Sequence, residues 1–118
     1  MSILKSFKHA IDGIISAIHK EKNLKIQFIA MIAIIMTGLI VGLTLMEWII
    51  CIMLFGLVIS AEMINTSFEK TLDYINEDYD EKIRFIKDCS AGAVLVITIA
   101  SAIIGLIIFI PKLAAVLT

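Results

Sequence analysis

The stretch WIICIMLFGLVISAEMINTSFEKTLD, residues 48–73, decides how this chain is read. It opens as an apolar run, Trp48–Ile59, and then places Glu62 where a membrane span ordinarily stays uncharged. Crossing a bilayer takes about 20 predominantly apolar residues, a length the segment from Trp48 to about Phe68 supplies. An ionisable side chain at membrane depth costs roughly 2.5–3.5 kcal/mol on insertion scales, and less toward the interface, so one that persists there is read first as functional.

The bulk numbers agree with a membrane chain. Of 118 residues, 60% are hydrophobic, and mean hydropathy is +1.02, well above the apolar share usual in soluble domains. The length bounds the chain to one domain, 1–118. Ten basic and eleven acidic residues leave a net charge of −1, so no basic field points to nucleic acid as a partner. Cys51 and Cys89 form no CxxC or other metal-type spacing, and no disulfide is expected between them. Lys5 and Lys8 are not followed by a long apolar core and a small-residue cleavage site. No removable signal peptide is expected, and the first span serves as the insertion signal.

Three stretches can cross a bilayer: 26–46, 48–68 and 89–110. Lys5, Lys8, Lys20, Lys22 and Lys25 precede the first, while Lys70, Lys82, Arg84 and Lys87 lie between the second and third; only Lys112 falls elsewhere. The positive-inside rule therefore places the N-terminus and the 69–88 connection in the cytoplasm, and the 46–48 turn and the C-terminus outside. Ile3, Leu4, Phe7, Ile11, Ile14, Ile15 and Ile18 recur at three- and four-residue spacing before the first span. This predicts an amphipathic helix over 1–22, either lying in the cytoplasmic interface or packed on the chain's own spans. The run 74–86, YINEDYDEKIRFI, reads as a short surface loop or helix extension, with Glu77, Asp78, Asp80 and Glu81 as solvated charges. Pro111 is expected to end the last helix. Gly38 and Gly42 form a GxxxG that close packing within the chain or dimerisation explains equally. Trp48 and Tyr79 read as interface-preferring aromatics, and His9 and His19 as interfacial polar residues apart from any site.

On a helix, Glu62, Asn65, Glu69 and Asp73 fall at i, i+3, i+7 and i+11, which gathers them into one stripe. Crowded carboxylates repel unless water or a cation lies among them, and hard oxygen ligands of this kind suit Mg²⁺. Lys87 and Asp88 stand at the mouth of the third span. Phosphoryl transfer uses all these parts: a divalent metal and a lysine neutralise phosphates while a carboxylate takes the proton of an attacking hydroxyl, here of a membrane alcohol. No Walker A sequence is present, so an ATP site would be of another kind. The purely structural alternative is that Glu62 snorkels or pairs with Lys25 or Lys87 to fix topology.

The strings EMINTSFEKTLD and KDCSAGAVLV, with KEKNLKIQ earlier, resemble the small integral-membrane prokaryotic diacylglycerol kinase family over nearly the whole chain. The NTSFE and KDCSAGAV forms look most like its Gram-positive branch, whose members are usually undecaprenol kinases. The resemblance implies an all-α membrane protein with an N-terminal amphipathic interfacial helix and three transmembrane helices. It further implies a homotrimeric helical bundle in the bacterial plasma membrane, with active sites shared between protomers and Mg²⁺ with ATP as co-substrate. Carried over by motif position, Glu62 would be the general base and Asn65 would shape the site beside it. Glu21 and Glu69 would hold the metal that bridges ATP phosphates. Lys87, Asp88 and Asp73 would make the nucleotide side. Gln27 stands where diacylglycerol-specific members carry a glutamate, and Ala91-Gly92-Ala93 replaces their Ser-Ala-Ala. The acceptor implied is undecaprenol, with diacylglycerol as the alternative. Two other classes compete: a small proton-coupled exporter, which would need neither Glu69 nor Lys87-Asp88, and a non-catalytic scaffold, which would bind no nucleotide.

Overall fold

The computed structural model describes residues 2–76, 78 and 80–118, so the sequence readings of Glu77 and Tyr79 lie outside the described residues. The described residues form four helices: α1 (Ile3–Lys20), α2 (Lys22–Val41), α3 (Leu45–Ile75) and α4 (Glu81–Leu117). The last three are long and apolar enough to cross a membrane.

Helix α1 starts at Ser2, whose hydroxyl accepts from the Lys5 amide at 3.2 Å, and ends with His19 and Lys20 at the negative pole of the helix dipole. Its apolar face is open, with Leu4 82% and Phe7 63% exposed. The helix therefore is not packed on the chain's own spans along that face, and its surface suits the interface of a bilayer. Glu21 breaks the helical run in an extended conformation, capping α1 and starting α2 at once.

The connection between the first two spans sits at 42–44, not at the expected 46–48. Local chemistry sets it. Gly42 adopts φ +77°, the left-handed conformation that ends helices and favours glycine. Thr44 and Glu47 then form a capping box: the Glu47 amide donates to Thr44 Oγ1 at 3.2 Å, and the Thr44 amide donates to Glu47 Oε1 at 2.9 Å. Gly38 also has an intramolecular use, because a Cβ there would meet the side chains of Leu43 and Trp48 at 2.8 Å. The two glycines thus act separately, one as a seat for Trp48 and one as a helix terminator. At the N-terminus of α4, Asp80 Oδ1 accepts from the amides of Lys82 and Ile83 at 2.8 and 3.3 Å.

Pro111 does not end α4, which continues to Leu117. Proline removes one i to i−4 hydrogen bond, but neighbouring groups can compensate in a membrane helix. Here the turn after Pro111 is held by Lys112, whose Nζ lies 3.0 Å from Glu47 Oε1 and donates to the Gly42 carbonyl at 3.2 Å. One lysine therefore joins the ends of α2, α3 and α4.

Helix α3 packs chiefly on α4, with α2 beside both. The molecule measures 56 × 39 × 21 Å, so its thin direction is about two helix diameters. At about 1.5 Å per residue, α3 and α4 are longer than the roughly 30 Å hydrocarbon core. The surplus of α3 lies at the end bearing Glu69 and Asp73, and α4 runs past its apolar stretch at both ends, through Lys87 at one and Lys112 at the other.

Gly38→Leu should lower the thermal midpoint in detergent, with a loss of about 1–3 kcal/mol from overpacking against Trp48 and Leu43. Gly13→Ala, whose added Cβ meets nothing within 4 Å, should not lower it.

Candidate functional site

The uncharged lengths of α2 and α3 are mostly uncovered, yet Glu62 is only 5% exposed and Asn65 6%. Both lie on the face of α3 that its neighbours cover, near the end where α1 meets α2. Helical geometry puts Glu69 one turn beyond Asn65, and the Asn65 amide nitrogen donates to Glu69 Oε1 at 3.3 Å. The remaining acceptor of Asn65, Oδ1, is buried without a partner. A buried polar atom left unpaired costs free energy, which points to a group supplied from outside the chain.

Glu62 lies within electrostatic reach of Glu69 and Glu21, and Asn23 is a polar neighbour of its carboxylate. The break at Glu21 is what delivers this fourth residue, since it places the first turn of α2 against the upper half of α3. Glu21 itself forms an ion pair with Lys70 at 3.6 Å. Among the described residues no lysine or arginine pairs with Glu62. Neither Lys25 nor Lys87 therefore neutralises it as a topological anchor would.

Farther out, Lys87 on α4 bonds to Asp73 on α3, joining the two helices at their water-facing ends. Asp88 is not brought into this group: it is the next residue around α4, is largely exposed, and pairs with Arg84 at 3.2 Å. The structure thus sets Glu62, Asn65 and Glu69 on successive turns of one face of α3, pairs Glu21 with Lys70 beside them, joins Asp73 to Lys87 one turn farther out, and pairs Asp88 with Arg84 instead. Sequence reasoning missed Asn23 and used Lys70 only as one of the basic residues that orient the chain. Asn23 lies within KEKNLKIQ two residues after Glu21, but nothing in that spacing reveals that α2 turns it toward Glu62.

Comparison with known proteins decides what this arrangement belongs to. A family model described as prokaryotic diacylglycerol kinase matches residues 8–109. The chain belongs to that family. It is 40% identical over 109 residues to an undecaprenol kinase of Bacillus subtilis, covering 92% of this chain and 89% of the relative. It is 30% identical over 113 residues to a diacylglycerol kinase of a Synechocystis species, covering 95% of this chain and 65% of that relative.

The chain is therefore an ATP-dependent lipid kinase of the membrane, which sets aside the exporter and scaffold readings. Among the described residues no group of three His, Cys, Asp or Glu side chains is close enough to hold a metal alone; Mg²⁺ commonly takes one or two carboxylates and fills its remaining positions with water and substrate phosphates. Glu21 and Glu69, both near enough to Glu62 to act on its charge, are the carboxylates that could hold such an ion.

Asn65→Leu keeps the volume but removes the donor to Glu69. The helix content should be unchanged and the initial phosphorylation rate should fall by about 10–100-fold, the scale on which groups that orient ligating carboxylates act. An unchanged rate would leave Asn65 a packing residue only.

Proposed function

We propose that this kinase transfers the γ-phosphate of ATP to the hydroxyl of undecaprenol, giving undecaprenyl phosphate and ADP. The observation that carries the reading is Glu62: a buried carboxylate with no cationic partner among the described residues, toward the charged end of a helix long and apolar enough to cross a membrane. A lipid hydroxyl resides at that level and ATP arrives from water. Support for undecaprenol comes from the Bacillus subtilis relative, which matches at higher identity and over more of its own length than the diacylglycerol kinase does.

Glu62 acts as general base. As the alcohol oxygen forms its bond to the γ-phosphorus, its O–H proton passes to Glu62, and the bond from the γ-phosphorus to the bridging oxygen breaks to release ADP. Asn65 holds Glu69 by its amide and presents Oδ1 to the incoming substrates. Lys87, steered by Asp73, supplies positive charge to phosphate oxygens, and Asp88 lies at the nucleotide's outer edge. Glu21 and Glu69 would hold Mg²⁺, which spreads the charge that develops on the phosphates. Lys70, which pairs with Glu21, would have to share that carboxylate with the ion.

The enzyme works in the bacterial plasma membrane with its carboxylate-bearing end in the cytoplasm, an orientation supported by nine of its ten basic residues. A homotrimer is what the family resemblance implies; the most apolar windows of the three spans are only 6–17% buried, which leaves faces that lipid or neighbouring copies would cover. Neighbouring copies would close the open side of the site.

The reading is tested by initial rates with Mg-ATP in micelles, offering undecaprenol and diacylglycerol at matched surface concentration. Undecaprenol should be preferred, and chelation of Mg²⁺ should abolish the reaction. Glu62→Gln should lower kcat by about 10²–10⁴-fold while ATP binding persists. Full activity in that variant would remove Glu62 as base, and a preference for diacylglycerol would move the enzyme to phosphatidate synthesis.

A further inference from the structure

Helices α3 and α4 run antiparallel, and two ion pairs join them at opposite ends: Glu47 with Lys112 at one and Asp73 with Lys87 at the other. The spacing of the pairs is matched on the two helices. From Glu47 to Asp73 is 26 residues along α3, and from Lys87 to Lys112 is 25 along α4, which is about 39 and about 38 Å at 1.5 Å per residue. Both lengths exceed a hydrocarbon core about 30 Å thick, so the pairs bracket it from either side.

Between those pairs no polar side-chain contact joins α3 to α4 among the described residues. The hydroxyls of Ser60, Ser67, Thr71 and Ser101 each donate to a carbonyl of their own helix. An apolar groove of about 470 Å³ opens between α2, α3 and α4, and Gln27 in its lining belongs to α2 and leaves its buried Oε1 unpaired. On α4, a Cβ added at Gly92 or Gly105 would meet nothing within 4 Å. Lipid tails solvate such faces as well as another helix does, so packing alone holds the axial position of α4 weakly. The ends hold it better. A slip of one turn, about 5.4 Å, parts both pairs at once and carries Lys112 or Lys87, according to its direction, toward the hydrocarbon.

We propose that Lys112 is a positioning residue for Lys87: by holding Glu47 and the Gly42 carbonyl at one end of the molecule, it fixes the register of α4 on α3 and so keeps Lys87 at Asp73 across the membrane. The inference rests on the reading of Lys87 as a phosphate-binding group and adds what places it there. Without the outer pair, α4 exchanges between the registered position and one slipped toward the Asp73 end, which carries Lys87 past Asp73 into water. Nucleotide binds the registered population. Its apparent affinity therefore falls with the fraction of chains in register, while saturating ATP recruits them all and restores kcat. Loss of folded protein has the opposite signature, a lower kcat at unchanged KM.

The test is carbodiimide coupling of the full chain in nanodiscs, which joins a carboxylate to a lysine only where the two already touch, with the products of the monomer band mapped by peptide mass spectrometry. This readout needs no turnover. The unmodified sequence should give both the Glu47 to Lys112 and the Asp73 to Lys87 links. Lys112→Met should lower the Asp73 to Lys87 yield about 3–10-fold, the scale of one charged contact, and raise the KM for ATP by the same factor with kcat held within about 2-fold. Glu47→Gln keeps the acceptor of the capping box and should act as Lys112→Met does, and the double variant should add nothing to either. Lys112→Arg, which keeps the charge and its donors, should restore both yield and KM. An unchanged Asp73 to Lys87 yield in Lys112→Met would overturn the proposal, as would a lowered kcat at constant KM. A lowered yield with an unchanged KM would overturn the link from register to nucleotide and remove Lys87 from the phosphate site. An unmodified enzyme inactive on every lipid alcohol would instead remove the kinase reading, with the coupling yields still deciding the register.

Discussion

Burial of a carboxylate in a chain that buries almost nothing else is the constraint on which this structure turns. Among the described residues the covered set is small: Leu24, Gly38, Cys51, Leu72 and Ile108 are apolar, and Glu62 and Asn65 are polar. A soluble domain of this length would reverse that balance, spending its covered positions on aliphatic groups and sending its carboxylates to water. In a bilayer the reversal is reasonable, since lipid tails solvate isoleucine as well as another isoleucine does. Contacts between helices are then free to serve the polar residues that lipid cannot solvate.

That reasoning explains where the chain fastens itself. The far ends of α2, α3 and α4 are joined by Lys112, Glu47 and the Gly42 carbonyl, with Trp48 packed into the space left by Gly38. The near ends are joined by Lys87 with Asp73 and by Lys70 with Glu21. Between these fastenings the helices diverge enough to leave the apolar groove. Exposed ion pairs contribute little individually, but each of these bridges different helices at a level fixed by the bilayer, and together they set the depth of Glu62.

How much of this was legible beforehand depended on whether the deciding signal was local. The three spans and the stripe of Glu62, Asn65 and Glu69 follow from length and helical period, which need no knowledge of neighbours. The stop after α2 was misplaced because Gly42 was read for packing when its φ of +77° makes it a terminator. The capping box of Thr44 and Glu47 stood in the sequence as a Thr-x-x-Glu pattern, and it was the signal that could have fixed that boundary. Pro111 was read by a rule for soluble helices, where nothing would have held the following turn; the ion pair of Lys112 depends on a residue 65 positions earlier and is invisible to local reasoning. The pairing of Asp88 with Arg84 rather than with the nucleotide side is an i, i+4 contact that helical spacing could have suggested.

The two unpaired oxygens, Asn65 Oδ1 and Gln27 Oε1, carry the argument furthest because no local rule creates them. An asparagine at the level of the headgroups could reach water, and a glutamine one turn into α2 could snorkel. Both are instead covered by their neighbours with one acceptor left open. Covered acceptors without donors are scarce in folded proteins because each one costs free energy. Two of them at successive depths, beside a carboxylate that also lacks a cation, mark out a line from the hydrocarbon to the water. A partner that brings donors to that line would relieve both oxygens at once.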